Sequence, residues 1–376
     1  MKKRWREKLP NGVRKFFRRL IVRLVKASAP VAKDVLNIAA SNGLDVESTF
    51  GLTPKTNNDL KTSVKWDTAD FLFLMDLLGK RQNEHGAANT LQTTASIVML
   101  ALNEVDHSFN CLRTLLREVD LSVTEIIVVN NGSTDDTARM LSYFQDFIKV
   151  IHNPENFGFV GGCNQGAEIA NGKYVVFLNN DTIVQPGWLT HLIETADNDP
   201  SVGAVGSMLI YPDGSLQEAG AIIWRDGSAT KYGHGLSPED NKVSYAREVD
   251  YCSGASLLVR KDLFDKLGGF DQIYSPAYYE DVDMCFGLRS LGYKVIYQPK
   301  SRLIHHEGAT GGTDVQRGFK RFQVINHGKF VEKWREVLSQ DYWEYSPESL
   351  DRAANRRVAP YVPPQKTALK EAPAAH

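Results

Sequence analysis

The sequence predicts an α/β fold, a mainly parallel mixed sheet with helices on both faces. Three observations carry this. From Ala95 onward, short β-branched runs alternate with segments of helical periodicity, the pattern of successive β-α-β units. Two of those runs, Ile126–Val129 and Tyr174–Leu178, are apolar and stop abruptly at Asn130-Asn131 and at Asn179-Asn180-Asp181. Buried strands that deliver polar groups to the edge of a sheet read this way. The 376 residues, 42% hydrophobic and 24% charged, suffice for one large domain with accessory segments, or for two domains.

In chain order, Pro10-Asn11 opens a first helix and Pro30 closes it, giving a segment over residues 1–30. Val13, Phe16, Phe17, Leu20, Ile21, Leu24 and Val25 share one face, with Arg14, Lys15, Arg18, Arg19, Arg23 and Lys26 on the remainder. Residues 1–33 hold twelve Lys or Arg and one acid, Glu7, while residues 34–376 hold 32 bases and 44 acids. The net charge of −1 therefore hides a basic arm on an acidic body. Such a helix is expected to bind an anionic membrane surface through residues 13–25, each cation contributing about 1 kcal/mol. The competing reading docks it on the protein's own acidic body. A nucleic-acid partner is not expected, because the aromatics sit on the face away from the charges. Arg23 interrupts the first apolar patch, and no apolar run approaches the ~18 residues of a membrane span. The expectation is a cytoplasmic protein peripheral to the inner face of the plasma membrane.

Residues 31–93 read as an accessory segment and linker: Asp67 caps a short helix carrying Phe71, Leu72, Leu74, Met75 and Leu78 and ending at Gly79, and 80–94 is polar. Ser96–Ala101, Glu125–Val129, Lys149–His152 and the run from Tyr174 are strands. Ser108–Val119, Thr137–Phe147 and Gly162–Ala170 are helices. Spacing is less regular after Trp188. A domain over 94–312 is followed by a helical extension over 313–345, with Phe319, Phe322, Phe330, Trp334 and Leu338 available for packing. The polar, Pro- and Ala-rich stretch 346–376 reads as a disordered tail. Cys111, Cys163, Cys252 and Cys285 form no Cys-x-x-Cys pair, so buried thiols are expected rather than zinc or redox chemistry.

Four constellations can carry chemistry. Ile126-Ile-Val-Val-Asn-Asn-Gly-Ser-Thr-Asp135 ends a strand in a tight turn at Gly132 whose small polar side chains can read a base and a ribose; otherwise Ser133 or Asp135 caps a helix. Asn153-Pro-Glu-Asn-Phe-Gly-Phe-Val-Gly-Gly-Cys-Asn164-Gln-Gly166 offers glycines for close backbone approach and a helix start for an anion. Asp181, at the end of its strand, can hold a hard divalent cation. Tyr278-Tyr-Glu-Asp-Val-Asp283 places Glu280, Asp281 and Asp283 in a helix's first turn, where they either complement the helix dipole or supply a general base. His305-His306-Glu307 follows, with His305 a candidate second metal ligand.

In this combination and order the chain resembles the inverting glycosyltransferases of family 2, which have the GT-A fold. The resemblance runs from about Ser96 to Thr313. It also includes Tyr-Pro-Asp-Gly-Ser-Leu-Gln-Glu-Ala-Gly220, Tyr251-Cys-Ser-Gly-Ala, and Gly268-Gly-Phe-Asp. It looks most like the bacterial branch that builds O-antigen, capsule and other cell-envelope polysaccharides, including rhamnosyltransferases. The resemblance implies a donor site at Asn103, Asn130, Asn131, Asn164, Asn179 and Asn180. It implies Mg²⁺ or Mn²⁺ on Asp181 and His305, with His306 the less favoured neighbour. Asp281 would be the catalytic base, with Glu280 beside it, and Asp250, Tyr251, Ser253 and Gly254 would face the acceptor. Many family members carry Asp where this chain has Asn130 or Asn131, and at position 179.

The reading is an inverting transferase that moves a sugar from a nucleoside-diphosphate sugar to a hydroxyl of a glycan or lipid-linked acceptor. Asp281 removes the hydroxyl proton and no enzyme nucleophile is needed. The adjacent Glu280 and Asp281 cannot flank a glycosidic bond as a hydrolase's pair must. The rival reading is a non-catalytic nucleotide-sugar-binding or scaffold subunit on the same fold, favoured by three Asn where acids are common.

Overall fold

The computed structural model describes residues 92–308 and 320–355. The N-terminal helix, the accessory segment and linker up to residue 91, Phe319 and the tail from residue 356 lie outside the described residues.

The described chain is built on a ten-stranded mixed sheet. Its first half alternates strictly: β1 (Ala95–Ala101), α1 (Val105–Glu118), β2 (Thr124–Asn131), α2 (Thr137–Leu141), β3 (Lys149–Asn153), α3 (Gly158–Glu168) and β4 (Tyr174–Asn179). These four strands pair in parallel in the order β3-β2-β1-β4. β5 (Thr182–Val184), α4 (Trp188–Asn198), β6 (Val202–Ile210) and β7 (Leu216–Glu218) come next, then the hairpin β8 (Ala221–Ile223) and β9 (Ala229–Lys231). β10 (Arg247–Glu248), β11 (Ser256–Arg260), α5 (Lys261–Leu267), α6 (Glu280–Ser290) and β12 (Lys294–His305) complete the domain. β11 runs antiparallel between β4 and β6, and β12 is parallel to β6. Thus β1, β2, β3, β4, β6 and β12 share one direction, and their C-terminal ends lie along one edge.

β1, β2, β4 and β6 are buried at nearly every residue. Both faces of the sheet are therefore covered, which is why these strands read as unbroken apolar runs rather than alternating ones. Val98 and Leu100 of β1 and Val129 of β2 receive α3 through Gly162 and Gly166. A Cβ at either glycine would meet Leu100 or Val98 at 2.2 and 2.4 Å. Gly162 and Gly166 let a helix lie on a strand and are not open to a ligand, contrary to the sequence expectation.

Further differences follow from tertiary context. Helix α2 stops at Leu141 and continues only as turns, although the sequence pattern ran to Phe147. The strand β5 and helix α4 fell where spacing looked irregular. β5 pairs antiparallel with the end of β12, and Trp188 at the start of α4 is fully buried, its indole N–H donating to Ser207 and Ser256. After β12, α7 (Arg321–Lys333) and α8 (Arg335–Asp341) pack through Phe330, Val337 and Leu338. Residues 346–355 are ordered, a correction to the expected tail. Ser346 makes a capping box, and α9 (Leu350–Ala354) buries Ala353 and Ala354. The four cysteines are free and buried, and burial pushes the Cys111 thiol up to about 12. Among the described residues no helix is long and apolar enough to cross a membrane.

Candidate functional site

The candidate residues converge on the C-terminal edge of the sheet, where open α/β sheets bind ligands. β1 and β2 are in register with Ala101 opposite Asn130, so Asn103, Asn130 and Asn131 come together, though the bonds they make differ from expectation. Asn103 adopts a left-handed backbone (φ 54°). Its Oδ1 accepts from Thr134 N at 2.8 Å and from Asp135 N at 3.4 Å, while its own N–H donates to Ser133. Asn103 thereby shapes the loop that follows β2. Asp135 accepts from the N–H groups of Val105 and Thr137, tying the starts of α1 and α2 to that loop. Gly132 takes φ 79°, and a Cβ there would strike the Glu155 backbone at 2.6 Å, so the tight turn read from the sequence is present.

Asn131 is 1% exposed and has no free hydrogen-bonding capacity. Its Nδ2 donates to Asn156 Oδ1 (2.9 Å) and Gly158 O (3.0 Å), and its Oδ1 accepts from Asn153 Nδ2 (3.0 Å) and Phe157 N (3.0 Å). That exhausts two donors and two lone pairs. Asn131 is a buried hub, not a base reader. Asn is required here because a carboxylate could not donate to Asn156 or Gly158. Asn130, 4% exposed, is held by the His152 ring and by Ser133 N. Asn164 clamps the backbone of Phe270 through both ends of its amide, at 2.8 and 2.9 Å, and so belongs to the α3–Gly269 contact rather than to a ligand. The start of α3 is also closed to an anion. Its first N–H groups go to Asn156 Oδ1 and Pro276 O.

Strand β4 ends as expected. Asn180, 5% exposed, donates to Ser108 Oγ at 2.9 Å. Asp181, also 5% exposed, lies beside His305 of β12, with Nε2 3.2 Å from Oδ1. Asn179 Nδ2 is 3.4 Å from the same Nε2. Burial raises the Asp181 carboxyl, but His305 and His107 outweigh it and hold the group below its usual range. The Oδ1 atom nevertheless has no hydrogen-bond partner. An orphaned carboxylate oxygen and a ring nitrogen aimed at one another suit a divalent cation that takes its other ligands from phosphate and water. Among the described residues no set of three His, Cys, Asp or Glu side chains could hold an ion alone, so this two-ligand arrangement depends on a ligand to complete it. His306 points elsewhere, its ring packing edge-on against His107 at 4.9 Å.

The acceptor-side residues divide. Asn179 N–H donates to Ala255 O, which brings Ser253, Gly254 and Ala255 against the end of β4. Gly254 N–H donates to Asp281 Oδ2 at 2.9 Å, and Val282 N–H donates to Oδ1 at 2.8 Å. Asp281 is half-buried, and burial pushes its carboxyl up against those two bonds. Glu280 is 5% exposed, its Oε2 lacks a partner, and burial holds it neutral well above the usual range. Asp250 faces inward, a correction: its carboxylate accepts from Ile223 N–H at 2.8 Å and pairs with Arg289 at 3.5 Å. Tyr251 is buried behind it.

Two tyrosines with left-handed backbones, Tyr278 (φ 76°) and Tyr279 (φ 73°), set the start of α6. Each such residue costs on the order of 1–3 kcal/mol and persists only where surroundings enforce it. Asn326 of α7, fully buried, supplies the enforcement, donating to the carbonyls of Tyr274 (2.6 Å), Ala277 (2.9 Å) and Tyr278 (3.1 Å). Asp283 is taken by Tyr274, Lys333 and Trp334. Residues that sequence reasoning passed over complete the site. Glu218 accepts from Ser253 N–H, and burial pushes its carboxyl up to about 7. Gln217, Lys231 and Glu307 lie behind His305. Their signal was a polar Gln217-Glu218 pair between buried Leu216 and Ala219.

Residues 96–268 match the family model described as Glycosyl transferase family 2. Over 214 residues, 54% of this chain, the sequence is 31% identical to the O-antigen biosynthesis protein RfbC of Myxococcus xanthus, but spans only 16% of that protein's length. Over 211 residues, 50% of this chain, it is 28% identical to the N-acetylglucosaminyl-diphospho-decaprenol L-rhamnosyltransferase of Mycobacterium tuberculosis, covering 68% of it. The structure of GalNAc-T7 with UDP, GalNAc and Mn2+ superposes with a TM-score of 0.54 at 17% identity, over 68% of this chain and 51% of that one, a likeness of fold.

Proposed function

Because residues 96–268 form a domain of glycosyl transferase family 2, we propose that the protein transfers a sugar from a nucleoside-diphosphate sugar to a hydroxyl of a glycan or lipid-linked acceptor, with inversion, in surface-polysaccharide synthesis. One observation carries the chemistry: Asp281, fixed by two backbone N–H groups, stands at the same sheet edge as the Asp181–His305 pair. A half-buried carboxylate with a raised pKa suits a general base that takes a proton from an acceptor hydroxyl. Glu280 is excluded from that role by its enclosure. Ser253 and Gly254 form the acceptor-side wall, while Asp250 and Tyr251 are its internal support.

On the donor side, Asn179 and Asn180 line the strand end, and Asn103 is the member of the Asn103–Asn130–Asn131 group whose Nδ2 makes no hydrogen bond among the described residues. Asp181 and His305 would hold Mg²⁺ or Mn²⁺, which when bound offsets charge on the diphosphate. The protein's own contribution is to hold Asp181 ionised, His305 oriented, and the base on the acceptor side. The helix over residues 13–25 would bring the protein to an anionic membrane where a lipid-linked acceptor is presented.

The test is nucleotide release across a panel of sugar nucleotides, with and without glycan and lipid-linked acceptors. Acceptor-dependent release that Asp281→Asn abolishes supports transfer. Donor binding without release under any acceptor would favour a non-catalytic nucleotide-sugar-binding or scaffold subunit. The Asn residues at 130 and 131 lend that rival little, since their amides serve the fold.

A further inference from the structure

We propose that Gln217, Glu307 and Lys231 are positioning residues that decide which nitrogen of the neutral His305 ring carries the hydrogen. Hydrogen-bond polarity runs inward from the rim of the site. Glu307 receives Lys231 Nζ at 2.8 and 2.9 Å and Tyr211 OH at 2.9 Å. It is a carboxylate saturated by donors, and it can only accept. Gln217 lies 2.7 Å from the same Oε2, so its NH₂ must face Glu307. The opposite amide orientation would set two oxygens against each other at that distance. With its NH₂ committed, Gln217 presents its oxygen to His305 Nδ1, at 3.0 Å in a fully buried contact. Nδ1 must therefore carry the hydrogen. In the neutral ring Nε2 is then a bare lone pair, and it is this atom that lies 3.2 Å from Asp181 Oδ1. Asn179 Nδ2, at 3.4 Å, donates to the same lone pair.

In that neutral tautomer no hydrogen bond crosses the gap to Asp181 Oδ1, which has no other partner. The arrangement is held open from behind, by a polar chain reaching from β9 through β7 to β12. Were Gln217 absent, the ring would be free to move its hydrogen to Nε2 and donate it to Asp181, closing the gap with a hydrogen bond. A single amide thus selects between a ring that ligates and a ring that plugs the site. Partners of this kind typically change metal affinity by about 10–100-fold. The relay rests on the proposed cation role only for its purpose; the tautomer itself is a property of the unliganded chain.

The experiment labels the histidines of the full chain with ¹⁵N and reads His305 by long-range ¹H–¹⁵N correlation, assigned with His305→Gln, in the absence of metal and substrate. Read where the ring is neutral, the wild type is expected to carry its hydrogen on Nδ1, with Nε2 bare. Gln217→Ala should move the hydrogen to Nε2 and weaken Mn²⁺ binding, measured by titration, about 10–100-fold. A hydrogen on Nε2 of the neutral wild-type ring would overturn the proposal without need of any variant. So would an unchanged tautomer in folded Gln217→Ala. If the wild type shows the expected ring yet binds no Mn²⁺, the relay stands and the cation reading falls.

Discussion

Replacing Asn131 by Asp distinguishes a buried hub from a nucleotide reader. The substitution is nearly isosteric, yet it removes two donors from a site that is 1% exposed. Gly158 O, at 3.0 Å in a buried contact, would lose its donor and face a carboxylate instead, whereas Asn156 Oδ1 is exposed and keeps the Gly158 N–H. An unsatisfied buried group costs about 1–3 kcal/mol, so Asn131→Asp should destabilise the domain by roughly that amount. The two bonds that Oδ1 accepts survive the change and do not offset the loss. Urea unfolding measures the effect as a lower midpoint at constant slope, and calorimetric titration with sugar nucleotides measures binding at a temperature where the variant is folded. Stability within about 0.5 kcal/mol of wild type, together with a clear loss of nucleotide affinity, would refute the assignment.

Five further outcomes follow. Asp281→Asn should lower turnover by about 10²–10⁴-fold with donor affinity kept, whereas Glu280→Gln, replacing a carboxyl already neutral, should leave turnover near wild type; the opposite ranking would move the base by one residue. The rate should rise with pH through the raised pKa of Asp281, because only the ionised form accepts a proton. Asp181→Ala and thorough chelation should each suppress transfer, with Mg²⁺ or Mn²⁺ reversing only the second, and full activity in chelator would remove the cation. Glu218 keeps its proton up to about pH 7 when folded but releases it near 4.5 when unfolded; its contribution to stability falls by about 3 kcal/mol as pH rises through that window. Glu218→Gln should flatten this slope in pH-dependent unfolding, and parallel profiles would contradict it. Deleting residues 1–30 should abolish flotation with anionic liposomes, weaken nothing on a short soluble acceptor, and mimic the effect of salt on the intact protein; equal flotation would return that helix to the protein's own surface.

The sheet was legible because its strands are buried on both faces and so are continuous in apolar character. The end of β4 was legible because Asn179-Asn180-Asp181 breaks that run at the edge where ligands bind. The donor-side asparagines were harder. An amide that reads a base and an amide that ties a loop have the same letter, and only the four partners of Asn131 tell them apart. The glycine-rich stretch failed for a similar reason, since a missing Cβ serves a helix–strand contact as well as it serves a phosphate. Asp250 looked like part of a polar site because its buried partner, Arg289, lies far along the chain. The network behind His305 was out of reach for the same cause: Gln217 is brought toward His305 and Glu307 by the pairing of β6, β7 and β12, and Lys231 comes from the separate β8–β9 hairpin.

Asn326 has a consequence for the order in which the molecule comes into being. The turn that carries Asp281 is strained, and the carbonyls that must be held are held from α7, a later part of the chain. A ribosome releases the strands, the Asp181 end of β4 and the base itself before it releases the clamp. A nascent chain stopped short of α7 would possess every donor-side residue with the turn ahead of Asp281 not yet clamped. Synthesis that runs from the N-terminus therefore delivers the sugar-nucleotide half first and arms the proton acceptor last. Chains cut before Asn326 should retain the cradle for the donor and lack the means to spend it.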